Sequence, residues 1–580
     1  MISHQTYNIT ILYKSPIGLY YTEFFRILIV RCLRGQSMSN FQDAFDRLDL
    51  YVTRRMETTG TPGMALALFN RERCVGVSTY GVSELETQTP VKPDTLFEIG
   101  SITKSFVAVA VAQAAERGLL DLHAPVTDYL PWFRVQSKFA PITIHHMLTH
   151  SAGIVGIIDR SPDPRGAVWA LRETKAAWPP GAHFYYSDAG YQVLGLVLET
   201  VTEQPFATVI QANIFDTLEM TTSKPALTHA MRPRMAKGYR SLYDDRPYHS
   251  SHPLIPAPWI ETNAGDCCIA STGEDMTKYG RMLLNRGQGP DGALLSDESY
   301  NLLIHQPLTT DYGFSYGCGL EVHQRENFTH IGHGGGMPGY EAFILMDVDN
   351  GVGVTLLSTQ PSVGIRGLAW TVMDLWRKAH LGESLDSVDL SLADPTDVEN
   401  AADFAGAYHG YHKTLTLSVE DKQLVLHYQG TQIVLQKRGT DCFCVNHPDF
   451  DRFLLRFGRT ETVDDSPGGV VEVFWGADWY VNDSYTGAME FDYPSEWNAY
   501  PGHYRAHIPW QTNFRVILRK GALRLVWPTG DEESLAPIGK DRFRIGDETS
   551  PERLRFGQLV NGQALYVNYS GSDYYRFFTP

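Results

Sequence analysis

FEIGSITKSFVAVAVAQAAER, residues 97–117, is the most informative stretch of this chain of 580 residues. From Ile102 onward, Ala and Val fill nearly every position, which predicts a helix that is buried on all sides. Gly118 is a suitable C-terminal stop for that helix. If the helix begins at Ser101, Lys104 follows one turn later on the same face, within reach of the serine hydroxyl.

The Ser101–Lys104 pair fits nucleophilic catalysis. Serine attacks a carbonyl efficiently only when a base takes its proton, and a helix N-terminus favours negative charge that develops there. Burial of an amine lowers its pKa, which suits a base. The S-x-x-K spacing alone also fits a capping serine with a solvated lysine, but the apolar helix leaves Lys104 few routes to water.

A second candidate motif is Tyr186-Ser187-Asp188, within PPGAHFYYSDAGYQVLGLVLE at 179–199. Residues 191–203 predict a helix, so the tyrosine lies on a loop just before it. A nearby cation would lower the pKa of the phenol enough for proton transfer. Taken alone, the motif fits an ordinary loop tyrosine and a helix-capping aspartate better.

The third motif is His333-Gly334-Gly335, within HIGHGGGMPGYEAFI at 330–344. Glycines allow close approach of the backbone to a ligand, and exposed N–H groups can stabilise an oxyanion. The alternative is a flexible turn before the β-hairpin predicted at 340–359, which turns at Asn350-Gly351.

Together the three motifs resemble those of the class C β-lactamase, penicillin-binding protein and D-aminopeptidase family of serine hydrolases. That family carries S-x-x-K, Y-x-N and [KH]-x-G in this order, and here they are SITK, YSD and HGG. HHMLTHSAGI (145–154) and CIASTGEDMTKYGRMLL (268–284) are also similar to family segments. The resemblance covers about residues 45–375. It implies an α+β fold, an antiparallel sheet flanked by helices with an added helical lobe.

The resemblance also implies roles for individual residues. Ser101 would attack the carbonyl, Lys104 and Tyr186 would share the proton transfers, and His333 would tune the site or bind substrate. The backbone N–H groups of Ser101 and Gly336 would form the oxyanion hole. Neither a metal nor a cofactor is implied. The implied substrate-binding residues are Asp188, Gly335 and Gly336.

Two departures from the family pattern affect the expected chemistry. Asp188 replaces an asparagine, and a carboxylate cannot donate a hydrogen bond unless it is protonated. Asp188 near Lys104 would keep the lysine charged, which favours Tyr186 as the working base. An unchanged rate and pH profile in an Asp188→Asn variant would contradict this hypothesis. His333 replaces the lysine of the penicillin-recognising enzymes, which argues against an efficient β-lactamase.

After about residue 385 the sequence changes to short alternating strands and repeats itself. Gly406-Ala407-Tyr408 matches Gly502-His503-Tyr504, and LRFGR (455–459) matches LRFGQ (554–558). This predicts two copies of an antiparallel β-barrel, a layout similar to that of D-aminopeptidases. The predicted domains are an extension (1–37), the hydrolase (38–385) and two barrels (395–488 and 494–580).

Composition excludes several other classes. The net charge of −17, without a basic stripe, argues against nucleic-acid binding. Seven cysteines without C-x-x-C spacing indicate free thiols in a reducing compartment. The apolar stretch 17–33 is interrupted by charges, so it predicts neither a membrane helix nor a signal peptide, and we expect a cytoplasmic protein. Residues 1–37 fit either a translated upstream stretch or a loose helical extension.

The expected function is hydrolysis of a small ester or amide, including a short peptide with a D-residue at its N-terminus. In that case an anion must bind the amine, and Asp531, Glu532 and Glu533 lie on one candidate loop of the last barrel. An esterase or weak β-lactamase, an acyltransferase and a catalytically silent scaffold are alternatives. The sequence is compatible with a homodimer. An α/β-hydrolase elbow at Gly313-Phe-Ser-Tyr-Gly317 is disfavoured because no helical pattern follows it.

Overall fold

The computed structural model describes residues 7–14, 20–27, 38–156, 163–305, 307–361, 363–461 and 468–578. The chain divides into two compact units. The first comprises Met1–Gln113, Ala207–Lys237 and Cys267–Leu390. The second comprises Ala114–Phe206, Gly238–Asp266 and Ser391–Pro580.

The first unit contains a nine-stranded antiparallel sheet with helices on both faces. In spatial order its strands are Leu308–Thr309, Ser315–Tyr316, Glu321–Arg325, Phe328–Met337, Tyr340–Asp347, Val352–Ser358, Gly63–Asn70, Cys74–Glu84 and Thr89–Pro90. The helices that lie wholly or mainly in this unit are Met38–Thr59, Thr103–Glu116, Phe206–Ile210, Gly273–Leu284, Asp297–Ile304 and Ile365–Leu381. Small two-stranded pairs join Phe97–Glu98 to Ala270–Ser271 and Gln288–Gly289 to Gly292–Ala293.

The central strand Gly63–Asn70 shows why this sheet is covered on both faces, because every residue in it is buried. Met64, Leu66 and Leu68 join the core beneath the helices Met38–Thr59 and Ile365–Leu381. Alternate side chains point to the opposite face, where the small Ala65 and Ala67 lie close to Gly273. The strand is therefore covered on both faces, and the small Ala65 and Ala67 allow a close approach at Gly273, the first residue of the helix Gly273–Leu284.

The second unit combines a helical lobe with two barrels. The lobe helices are Val126–Tyr129, Ile144–Leu148, Pro164–Ala170 and Asp188–Thr202, and the strands Tyr239–Ser241 and Leu254–Pro256 pair in the same unit. The first barrel closes through Gly406–His409, Thr414–Glu420, Gln423–Tyr428, Thr431–Gly439, Cys442–Val445, Leu455–Arg459, Val470–Trp475 and Asp478–Val481. The second closes through Gly502–Arg505, Asn513–Arg519, Ala522–Val526, Glu532–Gly539, Arg542–Ile545, Arg553–Val560, Gln563–Tyr569 and Ser572–Phe577.

The two barrels repeat one another in detail, which confirms the duplication predicted from the sequence. The buried Tyr408 donates to the carbonyl oxygen four residues before it at 3.1 Å, and its counterpart Tyr504 does the same at 2.7 Å. The register shift before Gly439 recurs before Gly539. Each barrel closes by pairing its first strand with its last, and each buries its own core.

Ser315–Tyr316 is a strand of the sheet, and the next element is the strand Glu321–Arg325 rather than a helix. This excludes the α/β-hydrolase elbow, which needs a helix directly after its serine.

The N-terminal extension contains the strands Tyr7–Lys14 and Tyr20–Ile27, which pair in antiparallel fashion, whereas a helical extension was one of the two predicted alternatives. The rest of residues 1–37 lies outside the described part. In that part no single helix has the length and apolar composition of a membrane span, although the bent pair Asp188–Thr202 and Phe206–Phe215 passes both criteria jointly.

Candidate active site

The nucleophile candidate lies where a 3₁₀ turn passes into a buried helix. The turn covers Gly100–Ile102, and the helix runs over Thr103–Glu116. Ser101 remains partly accessible, whereas the side chain of Lys104 is completely buried. The amine nitrogen of Lys104 donates to Ser101 Oγ at 2.9 Å. The lysine thus contacts the hydroxyl as the one-turn spacing predicts.

The turn with Ser101 and the helix with Lys104 are both held by contacts with residues from other parts of the chain. Ile99 N–H donates to the Ile269 carbonyl oxygen at 3.0 Å, and Ile269 N–H donates to Thr103 Oγ1 at 3.2 Å. The ring of Phe106 stacks on Tyr279 with centroids 3.7 Å apart. These contacts hold the turn at Ser101 from both of its ends.

The strand Phe328–Met337, here called the glycine strand, packs directly against the nucleophile turn. A Cβ atom on Gly335 would lie 1.8 Å from the Ile99 carbonyl oxygen and 3.2 Å from the Ser101 nitrogen. Gly100 adopts a φ of +51°, and a Cβ there would lie 2.6 Å from the Gly336 oxygen. Two stretches of backbone therefore approach at a distance that only glycine permits.

His333, on the same strand, is buried and neutral. Its Nδ1 lies 2.5 Å from the Gly334 carbonyl oxygen, which can only accept, so Nδ1 carries the proton. Nε2 then accepts from the Tyr316 hydroxyl at 2.9 Å. Burial, and to a smaller extent the neighbouring Lys104, lower the pKa of His333 to about 4, although Glu321 acts in the opposite direction.

Seven site residues are expected from the sequence. Five of them lie in the first unit: Ser101, Lys104, His333, Gly335 and Gly336.

Tyr186 and Asp188 belong to the second unit and lie at the start of the helix Asp188–Thr202. Ser187 caps that helix by accepting from Gly190 N–H at 3.1 Å. The ring of His150 lies 4.2 Å from that of Tyr186, and its Nδ1 accepts from Ser187 N–H at 2.9 Å. The segment HHMLTHSAGI, singled out as a family segment, therefore supports the tyrosine motif.

The three acidic residues expected on one loop of the last barrel are divided between a loop and a strand. Asp531 lies in the loop before the strand, whereas Glu532 and Glu533 lie in the strand Glu532–Gly539. The carboxylate of Glu532 is paired with Arg519, and Glu533 accepts from the Trp527 indole N–H at 2.6 Å. In the described part of the chain, no group of three or more His, Cys, Asp or Glu could hold a metal ion.

Glu98, which lies three residues before the nucleophile, is not among the site residues predicted from the sequence. Its backbone pairs with Ala270, and its side chain is buried. Burial raises the pKa of Glu98 from an ordinary value of 4.5 to about 8. The hydrophobic periodicity of the sequence does not identify a buried glutamate. The one signal for Glu98 is that a charged residue type occurs within an otherwise apolar stretch.

We expect Glu98→Gln to remove a pH dependence of stability. The folded pKa lies above the unfolded one, so the wild type loses stability as pH rises from about 4.5 to 8, by on the order of 2–4 kcal/mol. The amide cannot ionise, so the variant should keep its stability over this range. Urea unfolding at pH 5 and pH 8 checks this, and equal pH dependence in both proteins would contradict it.

Comparisons with known proteins identify the family. A family model described as Beta-lactamase matches residues 48–375, more than half of the chain. A Beta-lactamase of Yersinia enterocolitica is 28% identical over 232 residues, which are 39% of this chain and 56% of that protein. Penicillin-binding protein 4 of Amycolatopsis lactamdurans is 27% identical over 368 residues, covering 60% and 93% of the two chains.

A solved structure extends the similarity of the fold. The octameric penicillin-binding protein homologue from Pyrococcus abyssi superposes with a TM-score of 0.55 at 21% identity, over 76% of this chain and all of that chain. The sequence match to the Yersinia protein, by contrast, spans little more than half of that relative's length. The family match lies within residues 38–385, where the sequence predicts an α+β fold with an antiparallel sheet flanked by helices, and the chain belongs to the Beta-lactamase family.

Proposed function

We propose that this protein is a serine hydrolase that cleaves small esters or amides through an acyl intermediate on Ser101. The observation that carries the proposal is the 2.9 Å contact between the Lys104 amine and Ser101 Oγ. A completely buried lysine is costly unless it has a specific partner. One partner of Lys104 is a partly accessible hydroxyl at the start of a helix, which is the arrangement of an activated nucleophile.

The proposed reaction has two steps. Ser101 Oγ attacks the carbonyl carbon as its proton passes to the Lys104–Tyr186 pair, and the leaving group then departs with a proton. Water next attacks the acyl-serine and gives one proton to Lys104 and Tyr186, which pass it to Ser101 Oγ as the carboxylic acid is released. The role of Tyr186 comes from the family pattern. Backbone N–H groups of Ser101 and Gly336 would stabilise the oxyanion, and the close approach of the glycine strand to the nucleophile turn supports this assignment.

The state of His333 favours some substrates over others. A neutral imidazole engaged by Tyr316 and by a backbone carbonyl supplies no fixed positive charge for a substrate carboxylate. Penicillins carry such a carboxylate, whereas simple esters and amides with a free N-terminal amine do not. We therefore favour an esterase or D-aminopeptidase-like activity over a β-lactamase. The proposed substrate is a small molecule or short peptide.

A substrate panel tests this order of preference. p-Nitrophenyl acetate, D- and L-alanine p-nitroanilide and the β-lactam nitrocefin are compared, with Ser101→Ala as the blank. We expect the ester or an aminoacyl anilide to exceed the blank at least about 100-fold and nitrocefin to be the poorest substrate. Nitrocefin as the best substrate would contradict the argument from His333. Acyl transfer to an added amine in preference to water would identify an acyltransferase.

A further inference from the structure

Glu552 of the second barrel makes contacts that the proposed chemistry does not use. Its side chain is buried, and it stands immediately before the strand Arg553–Val560. Carboxylate Oε1 accepts from Gly156 N–H at 2.7 Å and from the Tyr185 hydroxyl at 3.2 Å. Oε2 accepts from the hydroxyl of Ser570 in the same barrel. One carboxylate thus joins the second barrel to two separate points of the helical lobe.

Both of these points adjoin the tyrosine motif. Tyr185 is the residue before Tyr186, and its N–H donates to the His150 carbonyl oxygen at 2.8 Å. The Gly156 carbonyl oxygen accepts from Ala189 N–H at 3.1 Å, just after the motif. The groups bound by Glu552 therefore lie on either side of the segment that presents Tyr186.

The barrel side of the contact is itself firmly held. Ile545 N–H donates to the Glu552 carbonyl oxygen at 3.1 Å, and the Arg553 guanidinium donates to the same oxygen at 2.8 Å. Burial raises the pKa of Glu552, while the hydrogen bonds from Ser570 and Gly156 lower it. Because Glu552 is held firmly in the barrel, its hydrogen bonds to Gly156 and Tyr185 can hold these lobe residues in a fixed position.

We propose that Glu552 is a positioning residue that holds Tyr186 in place, so that the second barrel is required for catalysis. This inference rests on the proposed function, in which Tyr186 takes part in proton transfer. Oε1 is already engaged by two donors of the lobe, which favours a structural link over a site for the amine of a substrate. The second barrel would then affect the reaction only by holding residues 185–189 in the position that Tyr186 needs for proton transfer.

Kinetics of p-nitrophenyl acetate hydrolysis by the full chain test the proposal. Glu552→Ala should lower kcat by about 100-fold with little change in KM, because loss of geometry at a catalytic group is costly. Glu552→Gln should recover most of this loss, since the amide oxygen can still accept from both lobe donors. Glu472→Ala is the matched control, a largely buried carboxylate whose partners, Lys520 and the Trp479 indole, are barrel residues. It should retain wild-type kcat.

Equal kcat in Glu552→Ala and wild type, or equal losses in Glu552→Ala and Glu472→Ala, would overturn the proposal. Failure of Glu552→Gln to recover activity would do so as well. Hydrogen exchange tests the same link without activity. Peptides that cover residues 150–156 and 185–190 should exchange faster in Glu552→Ala and not in Glu472→Ala, and unchanged exchange would also overturn it. A wild type that hydrolyses neither p-nitrophenyl acetate nor the aminoacyl p-nitroanilides would instead count against the proposed function.

Discussion

Lys104→Met should slow acylation of Ser101 by about 1000-fold or more while leaving the protein folded. The lysine side chain is completely buried, and methionine has a similar length and no charge, so packing should be preserved. The group lost is the one that contacts Ser101 Oγ at 2.9 Å. Without it the hydroxyl keeps its proton and its low reactivity. The rate of labelling by a fluorophosphonate probe measures the effect.

Ser105→Ala is the matched control for this variant. Ser105 is buried in the same helix, where it accepts from the Tyr279 hydroxyl at 2.9 Å and donates to the Ile102 carbonyl oxygen at 2.8 Å. Its side chain thus supports the nucleophile turn, while Ser101 Oγ and the Lys104 amine keep their own contact. The control variant should be labelled within about threefold of the wild-type rate, since a neutral buried hydrogen bond contributes mainly to stability. Labelling of Lys104→Met at the wild-type rate would show that the lysine does not activate the serine.

Gly335→Ala is expected to reduce turnover by roughly 100-fold or more. The added methyl would lie 1.8 Å from the Ile99 carbonyl oxygen, a backbone atom that cannot rotate away. The glycine strand must therefore move back from the nucleophile turn, and a displacement near 1 Å at an active site costs on the order of 100-fold. Turnover of p-nitrophenyl acetate is the measurement, corrected for the folded fraction by circular dichroism.

Gly367→Ala controls for the substitution itself. Gly367 lies in the helix Ile365–Leu381, and a Cβ there meets nothing within 4 Å. Alanine is also the better helix former by up to about 1 kcal/mol, so this variant should be fully active. Equal turnover in the two variants would mean that the close approach at Gly335 has no part in the reaction.

Much of the molecule could be predicted because local pattern determined it. The apolar helix after Ser101 is buried, and the spacing of Lys104 places its amine on the hydroxyl. The repeat after residue 385 gives two closed barrels because each copy carries its own alternating strands. These features depend on residues that are close in sequence, or on a pattern that occurs twice.

Other features could not be predicted because they depend on contacts between distant parts of the chain. Glu552 lies 396 residues from Gly156 and 367 from Tyr185, and no periodicity connects them. The neutral state of His333 depends first on its burial and then on the neighbouring Lys104, which comes from a different part of the chain. Its hydrogen-bond partner Tyr316 comes from another strand of the sheet. The sequence showed the histidine but not these surroundings.

Intact-mass spectrometry after incubation with a fluorophosphonate probe tests the central claim most directly. We predict one adduct on the wild-type protein, mapped by peptide analysis to Ser101, and none on Ser101→Ala. An adduct of equal extent on both proteins, or on neither, would contradict the assignment of Ser101 as the activated nucleophile.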